Sequence, residues 1–454
     1  MIQKGFYRNI LRLSLPAAFQ ALMSLLIVMV DNLMVSRLDA QGISLAAVSQ
    51  SNSITNFVNA ALMGMAAGSV VLISQYWGKR DTQRIKPICA TVLSLCIGFA
   101  VLVTLLLNLF PSIVLNLVIS KKEMAITKLA LDYLPVLSLS YLPLAITAAI
   151  IAILKGVEVV RVTLFATIVS LFSNIGFNYI LIFGKLGLPA LGVRGAAIAT
   201  VIARLIEAGV VCYYLFRVQK TIQIKARDLL HHRAWAWTDY VRFGLPVGLT
   251  DAQWALIGML KMVIIGQLGR IMINSVAVAD MLMNLGTLFT FALAGGAAVV
   301  VGKAVGAKDY DYVRAISNRI QVMFLFIGVV MASLVFHIRN PFISLYGLEE
   351  QIASQASLMV AVTAFTLLGT TYHASCFVGI NRGAGDSRFV MMVDMICGWL
   401  IVLPSAFISA FVLKLPYHWV YFSTRIDQSF KWIIAFLRLR GDKWIHNVTR
   451  DETP

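Results

Sequence analysis

Charged residues are scarce in this chain of 454 residues. They make up only 13% of the sequence, while hydrophobic residues make up 59% and the mean hydropathy is +0.83. A soluble protein carries charge on about a quarter of its residues. The shortage excludes an ordinary water-soluble domain.

Cysteine is also rare, and the signatures of catalysis are missing. The five cysteines lie in apolar segments without C-x-x-C or metal-ligand spacing, which indicates small packing residues and no metal site. No phosphate-binding glycine loop and no nucleophile elbow is found, so the sequence predicts neither an enzyme nor a bound cofactor.

The sequence instead contains long runs of apolar residues. Several reach the roughly 20 residues that a membrane-spanning helix needs. They predict an all-α polytopic membrane protein with the bilayer as its main partner and twelve helices near 13–36, 46–74, 87–110, 130–153, 162–183, 192–216, 243–268, 274–301, 316–336, 356–380, 389–411 and 418–437.

The positive charge follows the predicted loops. The net charge is +17, and with a cytoplasmic N-terminus about 25 Lys and Arg residues fall inside and about 9 outside. The positive-inside rule therefore predicts that both termini are cytoplasmic. Because this distribution accounts for the charge, we expect no nucleic-acid partner.

Two loops recur at nearly the same spacing. "GSVVLISQYWGKRD", from Gly68, aligns with "GAAVVVGKAVGAKD", from Gly296, without a gap. "LKGVEVVRV", which begins at Leu154, aligns at almost the same offset with "NRGAGDSRF", which begins at Asn381. Each half holds six predicted helices, an even number, so both halves enter the membrane from the same side.

The repeat predicts two pseudo-symmetric six-helix lobes. Parallel repeats of this kind are related by an axis along the membrane normal, and a ligand site is expected between the halves. The predicted divisions are an N-lobe at 1–216, a cytoplasmic linker at 217–242, a C-lobe at 243–437 and a cytoplasmic tail at 438–454.

Several stretches resemble the multidrug and toxic compound extrusion (MATE) transporters. They are "LPAAFQALMSLLIVMVDNLMVSRLDAQGISLAAV" at 15–48, "GKRD" at 78–81, "SNIGFNYILIFGKLGLPALGVRGAAIAT" at 173–200, "GLPVGL" at 244–249, "GAKD" at 306–309 and "RGAGDSR" at 382–388. The resemblance covers essentially the whole chain. It implies twelve helices in two lobes, a cation-coupled antiporter, and export of amphipathic organic, cationic compounds. We expect H⁺ rather than Na⁺ as the coupling ion, because the candidate site described next has a single carboxylate.

Asp31, inside the first apolar run, is the leading candidate for coupling. A carboxylate within a membrane segment is by default a functional-site hypothesis, although a structural hydrogen bond or ion pair is the alternative. Asn174 and Asn178 lie one turn apart on predicted helix 5. The resemblance places both with Asp31 in a polar network, in which Asn178 stands where some members have aspartate. Thr200 is a further candidate.

Polar residues in the second half are expected to be mainly structural. Lys261 and Asp280 are predicted to form a charge pair, as are Arg204 and Glu207 in the first half. A role of Asp251 or Asp280 in coupling stays open. The glutamate and aspartate that NorM-type members carry in helices 7 and 10 are missing, since those regions read "DAQW" and "TTYHASC".

The predicted substrate cavity is rich in methionine and aromatic residues. Thioether side chains repack around varied apolar shapes, but they also serve as plain core residues. The candidates are Met29, Met34, Phe57, Met63, Gln253, Trp254, Met259, Asp280 and Phe289.

Two other functions stay open. One is a flippase for lipid-linked saccharides, which would need several cavity cations, and the other is a non-transporting receptor or scaffold. The expected setting is a monomer in a bacterial inner membrane.

Overall fold

The helices follow from the apolar runs, because a backbone in lipid must satisfy its own hydrogen bonds. A computed structural model describes residues 5–38, 43–118, 124–346 and 348–450, and all regular structure in these ranges is helical. This confirms the predicted all-α membrane fold.

The first part of the chain, up to residue 213, forms eight α-helices. They are α1 (Phe6–Val35), α2 (Ile43–Gly78), α3 (Thr82–Leu109), α4 (Pro111–Val118), α5 (Met124–Ser138), α6 (Tyr141–Gly156), α7 (Arg161–Phe183) and α8 (Gly192–Tyr213).

The rest of the described chain forms nine more, several of them continued by π-helical turns. They are α9 (Ala234–Asp239), α10 (Leu245–Gly266), α11 (Arg270–Gly306), α12 (Tyr310–Ser344), α13 (Glu350–Ala374), α14 (Ser387–Met395), α15 (Leu403–Phe407), α16 (Tyr417–Ser423) and α17 (Lys431–Arg440). Among the described residues, ten helical stretches are long and apolar enough to cross a membrane, and α5 with α6 gives an eleventh.

Two predicted helices are interrupted. Predicted helix 4 is split into α5 and α6, which meet at an angle of 45°. Pro143 explains the break, because it has no N–H to donate to the carbonyl of Leu139. Predicted helix 12 is split into α16 and α17 by a 3₁₀ turn at Ile426–Ser429.

The contacts divide the chain into two compact units. The N-terminal unit contains Pro16–Ile73 and Asp81–Val241. The C-terminal unit contains Met1–Leu15, Ser74–Arg80 and Arg242–Pro454. The start of α1 and the end of α2 therefore belong to the unit that holds the second half of the chain. The predicted division at 217–242 follows the repeat and stays a prediction.

The first repeated loop has the same backbone geometry in both copies. Arg80 and Lys308 have positive φ values of 63° and 60°. Asp81 and Asp309 follow them, and each accepts a hydrogen bond from the backbone N–H three positions further on, at 3.1 and 3.2 Å. Both aspartates thus cap the next helix, which explains why the motif recurs.

The two copies of the second repeated loop also share a backbone hydrogen bond. Val159 N donates to Leu154 O at 2.8 Å, and Asp386 N donates to Asn381 O at 2.8 Å. In the alignment of the two loops, Val159 corresponds to Asp386 and Leu154 to Asn381. The structure therefore confirms the internal repeat.

Candidate cation-coupling site

Three helices of the N-terminal unit contribute the candidate coupling residues. Asp31 lies in α1, Asn174 and Asn178 lie one turn apart in α7, and Thr200 lies in α8. The four residues form one connected group of side chains. The residues singled out from the sequence are therefore neighbours in space.

A chain of hydrogen bonds joins these side chains. Asn178 Nδ2 donates to Asp31 Oδ1 and also to Asn174 Oδ1, the second bond at 3.2 Å. Asn174 Nδ2 donates to Thr200 Oγ1 at 3.5 Å, and Thr200 donates to the carbonyl of Ala196 at 3.1 Å. Asn178 is thus the residue that ties the carboxylate of α1 to α7.

The amide side chains of this group are buried, and not all of its hydrogen-bonding atoms have a partner. Asn174 is 1% exposed and Asn178 is 0% exposed. Among the described residues, neither Asn178 Oδ1 nor Asn32 Oδ1 has a hydrogen-bond partner. A buried acceptor without a donor is costly, so the site has capacity for a proton or a cation.

A charged pair borders the group on α8. Arg204 Nη1 donates to Glu207 Oε2 at 2.7 Å, and Thr167 Oγ1 donates to Glu207 Oε1 at 3.0 Å. Arg204 is also near enough to Asp31 to interact with it electrostatically, as is the buried Tyr133. The Arg204–Glu207 pair was predicted from the sequence, whereas the proximity of Arg204 and Tyr133 to Asp31 was not.

A close approach of α7 and α8 allows this arrangement. A Cβ at Gly195 would lie 2.5 Å from Leu181 O. Because only glycine fits there, α8 can bring Thr200 against α7 one turn further along. The small residue belongs to the "GVRGAAIAT" stretch that carries the family resemblance.

In the C-terminal unit, the ion pair of Asp280 differs from the prediction. Asp280 Oδ1 accepts from Arg425 at 2.5 Å and from the Tyr421 hydroxyl at 2.9 Å. Lys261 instead has its Nζ 5.9 Å from the ring centroid of Trp254. Among the described residues, Lys261 and Asp280 thus lie within electrostatic range but form no direct ion pair. Sequence reasoning could not find Arg425 as the direct partner, because it is distant from Asp280 along the chain and no local pattern connects them.

Asp251 and Gln253, also in α10, have different surroundings. Asp251 Oδ1 accepts from Arg382 Nη2 at 2.8 Å. The amide oxygen and nitrogen of Gln253 are buried, and neither has a partner within the described part of the chain. Gln253 thus keeps buried, unused hydrogen-bonding capacity, whereas Asp251 is held in an ion pair.

A buried ionic cluster around Lys431 was not predicted from the sequence. Lys431 is 1% exposed and contacts Asp394 at 2.7 Å and Asp427 at 3.0 Å. Its ammonium group also lies 4.5 Å from the ring centroid of Trp254. The signal was available, since Asp394 falls within a predicted membrane helix, where ionisable residues are rare and meaningful.

The predicted cavity residues fall in both units. Met34 packs against a core cluster of the N-terminal unit, so it acts there as a packing residue. Trp254 is covered by Lys431. Several of the others are half-exposed: Met29, Phe57, Met63, Met259 and Phe289.

Comparisons with known proteins agree on one family. A family model described as MatE matches residues 16–180 and 246–408. The chain is 27% identical over 420 residues to "Uncharacterized transporter YisQ" of Bacillus subtilis, covering 91% of this chain and 90% of that protein.

A second relative and a solved structure extend the match over nearly the whole chain. The chain is 23% identical to "Probable multidrug resistance protein NorM" of Thermotoga maritima, covering 96% and 93% of the two. A crystal structure described as "MATE in the bent conformation" matches with a TM-score of 0.87 at 20% identity, covering 97% of each chain. At 20% identity, this structural match establishes a shared fold and nothing beyond it.

Proposed function

Since the chain belongs to the MatE family, that of the multidrug and toxic compound extrusion transporters, we propose that it is a secondary antiporter. It exports amphipathic organic cations by alternating access, and the inward movement of H⁺ drives the export. The names of relatives such as "Probable multidrug resistance protein NorM" support the cargo class.

The observation that carries the proposal is the buried group around Asp31. A single carboxylate is bonded to the side chain of Asn178, whose oxygen has no partner among the described residues. Buried acceptors in folded proteins are paired in the large majority of cases, so the unused oxygen beside a buried carboxylate supports a site that takes up a ligand. An exchangeable proton or cation would use it.

Proton exchange at Asp31 would change the bond between α1 and α7. The ionised carboxylate accepts from Asn178 Nδ2, as in the structure. The protonated acid becomes a donor, and rotation of the Asn178 amide would offer Oδ1 as its acceptor. A ligand-dependent change of this kind biases a conformational equilibrium when the two states differ in their affinity for the ligand.

The charge of the group favours H⁺ over Na⁺. Carboxylate, amide and hydroxyl oxygens are ligands that a hard cation accepts. Asp31 supplies the only negative charge among the four candidate residues, and the nearby Arg204 is already paired with Glu207. A single negative charge disfavours tight binding of a metal cation, whereas a proton only neutralises Asp31.

The ion pairs argue against a saccharide-lipid flippase. Such a protein would hold a pyrophosphate with cavity cations. Arg204, Arg425 and Lys431 are each neutralised by at least one carboxylate within 3.0 Å. Of the four cations inside the predicted membrane helices, which are these three and Lys261, only Lys261 has no such ion pair among the described residues, and a single lysine is a weak pyrophosphate site.

The proposed setting is a monomer in a bacterial inner membrane with both termini in the cytoplasm. The excess of Lys and Arg in the loops assigned to the inside supports this orientation. No resident cofactor or nucleic-acid partner is proposed.

Transport by proteoliposomes tests the function. We expect purified protein to move ethidium when a pH gradient is imposed, and the Asp31→Asn variant to reduce that movement to background. Asp132→Asn changes an exposed acid of α5 in the same unit and should leave transport unchanged.

The outcomes separate the alternatives. Full export by folded Asp31→Asn would remove the coupling role of that residue. Flux under a Na⁺ gradient but not under a pH gradient would show that the coupling ion is Na⁺ and not H⁺. No flux by the wild type under either gradient would favour the receptor or scaffold.

A further inference from the structure

The ends of α2 and α11 meet in a reciprocal contact within the C-terminal unit. A Cβ at Gly78 would lie 1.9 Å from Lys303 O, and a Cβ at Gly306 would lie 1.8 Å from Gln75 O. Gly78 corresponds to Gly306 in the first repeated loop, and Gln75 corresponds to Lys303. The contact therefore obeys the pseudo-two-fold symmetry of the repeat.

A third glycine lies at the centre of this contact. A Cβ at Gly302 would lie 2.1 Å from Ser74 Oγ, and residues 74 and 302 are themselves repeat partners. We name the contact of Ser74–Gly78 with Gly302–Gly306 the α2–α11 seam. The backbones of both helices touch there, which leaves no space for even a methyl group.

Residues 441–450, which we name the C-terminal strap, run across this seam. Asn447 Nδ2 donates to Val305 O of α11 at 3.2 Å. Val448 N donates to Gln75 Oε1 of α2 at 2.8 Å, and Gln75 Nε2 donates back to His446 O at 3.1 Å. One short segment is thus bonded to the ends of both repeated helices.

Two further bonds fix the strap to the end of α2. The N–H of Arg450 donates to the Tyr76 hydroxyl at 3.1 Å, and Lys79 Nζ donates to Arg450 O at 2.6 Å. The strap also contacts the second repeated loop, because His446 N donates to Ala384 O at 2.8 Å.

The base of the strap is held by burial and charge. Trp444 is 2% exposed and Val448 is 5% exposed. Arg438 donates to both oxygens of Asp386, at 2.8 and 3.1 Å, and also to Lys443 O at 2.9 Å. A segment held in this way is an ordered part of the unit and not a loose tail.

We propose that the C-terminal strap is a latch that keeps the α2–α11 seam closed on the cytoplasmic side. The inference rests on the proposed transport function, because alternating access requires the two halves of the repeat to move apart on one side at a time. The strap is bonded to both helix ends of the seam, so opening the seam must break its bonds. Release of the strap therefore lowers the cost of the inward-open state.

Hydrogen exchange measured by mass spectrometry on the full chain in nanodiscs tests the latch. The variants are Gln75→Ala, Asn447→Ala and a stop codon after Arg440. We expect exchange at 74–80 and 302–306 to rise by about tenfold in each variant. We also expect exchange at the opposite helix ends, 43–50 and 270–277, to fall, because the equilibrium moves toward the other state.

Thr363→Ala is the matched control. Thr363 is a buried polar residue of the same unit, and its hydroxyl shares a hydrogen bond with the Tyr421 hydroxyl at 3.0 Å. This bond joins α13 to α16, which belong neither to the seam nor to the strap. The substitution should therefore change exchange neither at the seam nor at the opposite helix ends. If the truncated chain fails to fold, the two point variants decide the question.

Two results would overturn the latch. One is unchanged exchange at the seam in folded Gln75→Ala and Asn447→Ala. The other is faster exchange confined to the seam with no protection at the opposite ends, which would make the strap a local cover. Ethidium flux is measured on the same samples, so a failure of transport is seen separately from a failure of the latch.

Discussion

Asn178 determines how many negative charges the site around Asp31 carries. Its side chain is 0% exposed and bonded to the Asp31 carboxylate. With Asn178→Asp, two carboxylates would face each other away from water, and like charges at that distance cannot both stay ionised without a cation. The substitution therefore creates a better site for Na⁺.

We expect Na⁺ to stabilise the Asn178→Asp variant and not the wild type. The gain in the free energy of unfolding should be about 1 kcal/mol once Na⁺ reaches roughly five times its dissociation constant. Thermal unfolding in detergent with NaCl or choline chloride measures it. The Asp31→Asn/Asn178→Asp double variant, with one carboxylate again, should lose the effect, and equal stability of Asn178→Asp in both salts would contradict the assignment.

The buried polar residues show what the sequence could predict at this scale. An ionisable residue in an apolar run is visible directly, so Asp31 and Asp280 were found. Their partners depend on helix packing: Asn178 was supplied by the family resemblance, while Arg425 was missed. In the Lys431 cluster, the i,i+4 spacing of Asp427 and Lys431 was visible in the sequence, whereas Asp394 comes from a different segment that only the fold brings to Lys431.

Gly195 sets the distance between the two helices that carry the polar group. Gly195→Ala would place a methyl group 2.5 Å from the Leu181 carbonyl, so α7 and α8 must move apart. We expect a loss of about 1–3 kcal/mol in stability, as for other overpacked contacts. Ethidium transport should also slow, because Thr200 is displaced from Asn174.

Gly209→Ala is the control in the same helix. Nothing lies within 4 Å of a Cβ at Gly209, so this substitution should stabilise α8 by roughly 0.5–1 kcal/mol. Thermal unfolding of the two variants in one detergent gives the comparison. Equal stability of both variants would show that α7 and α8 do not depend on the close approach.

The sequence predicted where helices occur, but it did not predict where those helices are interrupted. Apolar length marks the part of a helix that lies in lipid, so α1 begins at Phe6, before the predicted 13–36, and α2 extends beyond both ends of the predicted 46–74. The break at Ile426–Ser429 coincides with the polar stretch "STRIDQS" at 423–429, which the apolar residues on both sides outweighed in the prediction of one continuous helix. It lies next to buried Asp427 and Lys431, and an irregular backbone at such a place is tolerated when protein covers it.

Of the properties of the whole molecule, the internal repeat was the one most readily predicted from the sequence. Two loops that recur at nearly one offset were enough, because helix caps and left-handed turns impose residue types at fixed positions. The compact units were not visible in the same way. They depend on which helix ends touch, and the first turns of α1 and the last residues of α2 join the C-terminal unit.

The orientation of the whole chain is tested by accessibility of single cysteines. The five native cysteines are replaced by alanine, and one cysteine is introduced at a time at four exposed positions. Lys185→Cys and Lys414→Cys lie in loops assigned to the outside, and Lys220→Cys and Arg227→Cys lie in the segment assigned to the cytoplasm. The charge bias in the loops predicts this arrangement.

A membrane-impermeant maleimide should label the first pair in intact cells and the second pair only after the cells are permeabilised. The expected contrast is complete, because a folded membrane protein keeps one orientation. The reverse pattern would place both termini outside, and the α2–α11 seam would then face away from the cytoplasm. In that case the C-terminal strap would restrain the opposite half of the transport cycle, since it would close the outer side.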